Sequence, residues 1–493
     1  MTGFLGALFL MMGAFASAED AAIQMPPPAG EPRALRLPEP VEKALPNGLR
    51  VVVVERAGLP ILSAQLVIKS GGEVDPAKAA GAMEMTATLL MRGAGKRRAP
   101  QLAQAIEALG ATIETGAGWD ATSAKLTIMS AQAAAGMEIL SDVVRRPVFA
   151  AAEIERLRAE TLDDLRVRME EPGTVAKAAA ARVIFGDGPY GHALSGTPAS
   201  VARISRAQVV KLHATWFRPD NAIFVIVGDA SAAQGFAWAE QFFGDWKKPD
   251  AALPAIRSVE APAKSRVVII DMPNAGQAAV VVGKAAIARK AADYYPGVVA
   301  SAVLGGGYSA RLNAEIRVKR GLTYGAASDL GARRLGGAFT AVAQTKNSAG
   351  PEVATLMRAE LDRLGAEPVP ADELTPRTST LTGEYARSLE TNDGIAARLA
   401  AWAVQDVPLS ALNTYVADIL AVPPDAVQKF AREHLRGAET GVVIAGHAES
   451  FRATLGEVFK DAEIIPQKAL DLDSIHLRSP LKAVKSRGDG AAK

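Results

Sequence analysis

The chain has 493 residues, enough for two or more domains with full cores, and 49% of them are apolar, which excludes a disordered chain. Its 55 basic and 53 acidic residues leave a formal charge of +2, so it carries neither the electrostatic footprint of a nucleic-acid binder nor a polybasic membrane patch. The absence of cysteine excludes disulfides, thiolate zinc sites and a cysteine nucleophile.

In chain order, residues 4–18 form an apolar run closing on Ala16-Ser17-Ala18, the small-residue pattern of a secretory cleavage site. The expectation is a signal peptide over 1–18, a mature chain starting near Glu19 and a periplasmic location, although no Lys or Arg precedes the run as it does in most signal peptides. The run is too short for a comfortable membrane span, and nothing else in the chain approaches one. Residues 19–44 read as a Pro-rich linker into a first domain, 45–246. There, strands are predicted at Arg50–Glu55 and Ala64–Lys69, helices near Ala80–Met91 and Pro100–Leu109, and strands at Ala111–Thr115 and Ala121–Met129. Helices near Ala131–Arg145, Ala150–Glu170, Thr174–Phe185 and Arg206–Phe217 follow, then an all-apolar strand at Ala222–Val227. Pro249, Pro254 and Pro262 mark residues 247–264 as an interdomain linker.

The second domain, 265–464, repeats the order. Strands at Arg266–Asp271 and Ala278–Gly283 lead to helices at Asp293–Val303 and Ser309–Arg320, strands near Gly325–Leu330 and Gly337–Gln344, a helical series from Glu352 to Leu435, and a last strand at Gly441–Ala445. Residues 465–493 are expected to be a mostly mobile tail. The fold class expected is α+β: two tandem homologous domains, each a mostly antiparallel sheet packed with helices.

Within the second domain, residues 304–325 join a glycine run to a helix and a strand. Ser309 is placed to cap the helix, Leu312, Ile316 and Val318 keep near-helical spacing, Lys319 and Arg320 fall in the last turn, and Gly321 ends it. Arg317 in that last turn and Tyr324 on the following strand are thereby placed to project into one cleft. Taken singly, an arginine there caps carbonyls and a tyrosine at a strand start packs. Gly305, Gly306 and Gly307 make neither a P-loop nor a dinucleotide fingerprint, because no Lys-Ser/Thr follows and the spacing is wrong.

The run Leu-Gly-Gly-Gly-x-Ser-x-Arg-Leu followed by Ile-Arg-x-x-x-Gly-Leu-x-Tyr resembles the second-domain signature of the insulinase and mitochondrial-processing-peptidase family of inverted zinc peptidases. The resemblance extends from about Leu45 to about Ala445. It implies that Arg317 and Tyr324 contact substrate and stabilise the transition state, facing a zinc helix across a clam-like chamber. Zinc binding in that family needs H-x-x-E-H, since His at i and i+4 share a helix face and the Glu between them activates water. The matching stretch here is Gly81-Ala82-Met83-Glu84-Met85-Thr86-Ala87-Thr88. Glu84 stands for the first His, Ala87 for the catalytic Glu and Thr88 for the second His, while Asp164 falls where the family has its downstream Glu ligand. The five histidines, at 192, 213, 434, 447 and 476, have no metal-ligand spacing, and His192 reads as structural or superficial. A weak cation site between Glu84 and Asp164 is weighed and set below a solvated pocket.

The chain is therefore expected to hold no metal or cofactor itself. It reads as the non-catalytic, substrate-binding subunit of a heterodimeric zinc metallopeptidase, inactive alone. Its partners would be a homologous zinc-bearing subunit and a peptide bound as an added strand. Two other classes stay open: a structural subunit, and a peptide-binding module with no role in proteolysis.

Overall fold

Runs of β-branched residues set up two sheets in the computed structural model, which describes residues 37–479 apart from 77, 257–261 and 263. The expected signal peptide, the linker up to residue 36 and the chain end from 480 lie outside the described residues. In the first half the strands of the large sheet are β1 (Val41–Ala44), β2 (Arg50–Glu55), β3 (Ile61–Ile68), β4 (Thr112–Ala117), β5 (Thr122–Met129) and β6 (Ala222–Gly228), and a separate short hairpin pairs Gly93–Ala94 with Arg97–Arg98. In the second they are β7 (Val267–Asp271), β8 (Ala278–Ala286), β9 (Thr323–Gly331), β10 (Gly337–Thr345), β11 (Gly441–Gly446) and β12 (Glu463–Pro466).

The first sheet runs β1-β2-β6-β3-β5-β4 and the second β9-β10-β8-β11-β7-β12, so that reading the second backwards superposes the two orders. In each, one central pair is parallel, β2 with β6 and β7 with β11, and the hairpin partners are antiparallel. The repeat breaks at one edge. There the first sheet adds β1 antiparallel to β2, from the stretch expected to be linker, and the second adds β12 parallel to β7, from the start of the expected tail.

Helices of each half pack on the sheet of the other half as well as on their own. One face of the first sheet, with Val51, Val53, Leu62 and Leu66, packs on first-half helices, including Ala82–Leu89 and Ala133–Arg145. The other face, with Val52, Val54, Val225 and Val227, is equally buried, and the helix Asn392–Val404 from the second half lies against β6 and β3. Reciprocally, the first-half helix Pro172–Phe185 lies on β8 and β11 in one core with Val281 and Val443. Its seat is a pair of glycines facing each other across the ladder, Gly283 and Gly441. A Cβ on Gly441 would meet Val183 Cγ1 at 2.4 Å, and one on Gly283 would meet Ile184 Cδ1 at 2.9 Å. A strand buried on both faces has no polar side, which is why β6 is an uninterrupted apolar run.

A polar clasp completes the join. The Arg334 guanidinium donates to Glu73 Oε1 at 2.7 Å and to the Lys69 carbonyl at 2.9 Å, and its backbone N–H donates to Asp120 at 2.8 Å. The Tyr190 hydroxyl donates to the other Asp120 oxygen. Arg333 lies over the rings of Trp119 and Tyr190, 4.6 and 4.7 Å from their centroids.

Residues 465–479 correct the expectation of a mobile tail. Beyond β12, the buried Arg182 donates to the carbonyls of Leu472 and Asp473 at 2.9 and 3.1 Å, and Thr197 donates to the Asp473 carboxylate at 3.0 Å. A further helix, Ala232–Phe243, was not legible in the sequence. No described helix is long and apolar enough to cross a membrane.

Candidate functional site

The motif segment departs from a regular helix. A short helical turn at 311–312 widens into a π-helix over Asn313–Val318, with Lys319 N–H reaching back to the Ala314 carbonyl at 3.0 Å. Leu312 and Ile316 are fully buried, but Val318, expected in the apolar stripe, is 59% exposed. Ser309 does not cap: its hydroxyl accepts from Arg377 at 2.9 Å. Gly321 does end the helix, in the left-handed region at φ +63°, with its N–H on the Arg317 carbonyl at 2.9 Å and that of Leu322 on Ile316 at 2.9 Å. Isolated π segments are uncommon and concentrate at functional sites.

The following strand is bulged. Its ladder with β10 jumps from Thr323↔Thr345 to Ala326↔Ala343, leaving Tyr324 and Gly325 opposite Gln344 alone. The Thr323 hydroxyl holds the bulge, donating to Gln344 O at 2.6 Å and accepting from Gly325 N–H at 3.0 Å. Asn313 ties this bulge to the π-helix and the glycine run. Its Nδ2 donates to Gly307 O and Ala326 O, both at 2.9 Å, and its Oδ1 accepts from Ala326 N–H at 2.9 Å.

Tyr324 emerges from the bulge 85% exposed. It rims a cavity of about 380 Å³ on the sheet, lined by apolar residues such as Ala279, Val281, Ala326 and Val342, with Lys177 and Gln344 at its polar margin. Arg317 is partly exposed and stacks on Tyr308, its guanidinium carbon 4.7 Å from the ring centroid. Among the described residues, neither the Arg317 guanidinium nor the Tyr324 hydroxyl is engaged in a hydrogen bond or ion pair. The two groups thus sit on adjoining, tightly tied elements with their donors unspent, though Arg317 does not line the cavity beside Tyr324.

The four positions expected to form a degenerate zinc motif sort differently. Glu84, Thr88 and Asp164 line one cavity of about 240 Å³ between the helices Ala82–Leu89 and Ala151–Arg168, together with Glu160, Thr161 and Arg168. Ala87 points into the core, fully buried, and its carbonyl accepts from the Thr115 hydroxyl at 2.8 Å. Thr88 spends its hydroxyl on the Glu84 carbonyl at 3.0 Å, and Asp164 pairs with Arg168 at 3.3 Å. Glu84 leaves Oε2 buried without a partner. Among the described residues no three His, Asp or Glu side chains are grouped to hold a metal. One orphan carboxylate oxygen, a hydroxyl turned to its own helix and a carboxylate paired to arginine do not fit zinc, and no base stands at Ala87.

Two half-buried histidines are tied to backbone carbonyls. His192 Nε2 lies 3.0 Å from the Gly72 carbonyl and His213 Nε2 2.8 Å from that of Val144, and burial pushes both imidazoles below the usual histidine range. Sequence reasoning missed Asn313 and Tyr308, because an asparagine mid-helix and a variable motif position carry no signal without the bulge and the stack they serve.

The two-sheet fold and the paired motif positions define a chain of the insulinase-type peptidase architecture. Residues 50–198 match the insulinase (peptidase family M16) profile and residues 203–376 that of the peptidase M16 inactive domain. The chain belongs to the M16 peptidase family. An uncharacterized zinc protease of Mycobacterium tuberculosis is 24% identical over 418 residues, 84% of this chain and 94% of that protein. One of Streptomyces coelicolor is 24% identical over 61% of this chain and 66% of its own length. Among solved structures, an M16 inactive domain from Pseudomonas fluorescens aligns at 27% identity and a TM-score of 0.78, covering 83% of this chain and 98% of that one. A protease from Helicobacter pylori aligns at 19% identity and 0.78, over 83% and 100%, and shows the shared fold alone.

Proposed function

We propose that this chain is the non-catalytic, substrate-binding subunit of a heterodimeric zinc metallopeptidase, lending Arg317 and Tyr324 to the zinc site of a homologous partner. The observation that carries the reading is the contrast between the two motifs: Arg317 and Tyr324 keep free donors on a braced scaffold, while Glu84, Thr88 and Asp164 have lost the zinc donor set. A guanidinium offers fixed donors to a peptide carbonyl, and a phenol can donate to the oxyanion formed when zinc-bound water attacks. Zinc would come from the partner and the substrate would be a peptide. Location in the periplasm belongs to the same proposal and rests on the apolar run at 4–18.

The test is turnover of the complex reconstituted with a zinc-bearing homologue. Tyr324→Phe removes one hydroxyl from an 85% exposed side chain, so folding and assembly should stand while kcat falls on the order of a hundredfold, the usual loss of one oxyanion donor. Arg317→Ala should lower kcat/KM further. Turnover of Tyr324→Phe within about twofold of wild type, against that hundredfold expectation, would reject the catalytic role and favour a structural or purely peptide-binding subunit.

A further inference from the structure

Tyr308 has no place in the reading above, yet it is the one described side chain stacked on Arg317, 4.7 Å from guanidinium carbon to ring centroid. It is 64% exposed, so it is not there to fill a core. The loop that carries it is nonetheless fixed on both sides. Before it, the Gly307 carbonyl accepts from Asn313 Nδ2 at 2.9 Å. After it, the Ser309 hydroxyl accepts from Arg377 NH2 at 2.9 Å, and Arg377 is itself only 7% exposed. The neighbouring Arg311 is held by both oxygens of Glu373, at 2.8 and 2.7 Å. The structure therefore spends two buried arginines and one buried asparagine on a loop whose only outward aromatic is Tyr308.

We infer that Tyr308 is a positioning residue for Arg317: its ring face restricts the guanidinium to one orientation before substrate arrives. Arginine has many rotamers, and an unpaired guanidinium at a protein surface samples several of them. A ring fixed beneath it favours the stacked orientation through the attraction of the cation to the ring face, and leaves the edge donors of the guanidinium free for a carbonyl. The inference rests on the proposed role of Arg317 in substrate binding, but its physical core, the stack, is testable in the chain alone.

In the purified chain, the Arg317 Nε–H proton, assigned by its loss in Arg317→Ala, should show an upfield ring-current shift that disappears in Tyr308→Ala and persists in Tyr308→Phe. A shift unchanged by Tyr308→Ala overturns the inference whatever the protein does. In the reconstituted peptidase acting on a quenched-fluorescent unstructured peptide, Tyr308→Ala should lower kcat/KM by about two- to fivefold, the size of an exposed cation–π interaction. Tyr308→Phe, which keeps the ring, should restore it. In an Arg317→Ala background, Tyr308→Ala should have no further effect, because its influence passes through Arg317. Equal additional loss in that background would make Tyr308 a direct substrate contact and overturn the positioning role. If Arg317→Ala itself leaves turnover untouched, the subunit reading fails, and the ring-current result still decides the stack.

Discussion

Asn313 offers the sharpest test of how the candidate site is built. It is 6% exposed and satisfies three backbone groups at once: the Gly307 carbonyl, the Ala326 carbonyl and the Ala326 N–H, each at 2.9 Å. Because Ala326 is the residue at which the β9–β10 ladder resumes after the bulge, the amide stands in for a missing strand partner. Asn313→Ala would leave those groups facing a small void. A buried backbone group left without a partner costs about 1–3 kcal/mol; the contact with Gly307 is only part-buried, so the two buried groups of Ala326 set an expected loss of about 2–6 kcal/mol. Asn313→Asp keeps the acceptor for Ala326 N–H but sets a carboxylate oxygen against two carbonyl oxygens. Its folded-state pKa should therefore be raised, and its deficit relative to wild type should shrink as pH falls and the carboxyl becomes a donor. Urea unfolding of the purified variants at pH 5 and pH 8 measures both. An Asn313→Ala variant within about 0.5 kcal/mol of wild type, the range of an ordinary surface change, or an Asn313→Asp variant insensitive to pH, would refute the account of the bulge.

The donor set around Glu84 predicts that the purified chain binds no stoichiometric zinc, which metal analysis after dialysis checks directly; one tightly held zinc per chain would overturn that reading. Grafting Ala87→Glu with Thr88→His should not create activity, since Ala87 is fully buried, Glu84 still stands where the motif needs a histidine, and Asp164 is a shorter acid paired to Arg168; detectable peptide hydrolysis by the double variant contradicts it. Burial pushes the Glu73 carboxyl in the clasp up to about 8, against the pull of the Gly71 N–H and Arg334. Between the ordinary glutamate range near 4.5 and about 8 the folded chain keeps a proton the unfolded chain has released, so stability should fall as pH rises through that window. In Glu73→Gln that slope should flatten; thermal unfolding from pH 5 to 8.5 that is parallel in the two proteins would contradict it.

Much of the fold was legible because it is written in local patterns. The repeated strand and helix order, the apolar run of β6 and the stop at Gly321 follow from burial on both faces and from the left-handed turn only glycine adopts easily. The motif spacing pointed to the family; it also offered Arg317 and Tyr324 as a pair and Glu84, Ala87, Thr88 and Asp164 as one altered set, of which the structure gathers Glu84, Thr88 and Asp164 around one cavity and leaves Ala87 in the core. What the sequence could not decide is where long-range contacts override local preference. Residues 311–318 read as a regular helix, yet Asn313 and Ile316 must both face the core while meeting a bulge 13 residues away at Ala326, and the backbone widens into a π turn to allow it. Val183 and Gly441 stand far apart in the chain, so nothing local announces that a first-half helix lies on the second sheet. Composition and period set which residues are buried; only the tertiary structure decided against what, because one buried face of each sheet finds its partner in the other half of the chain.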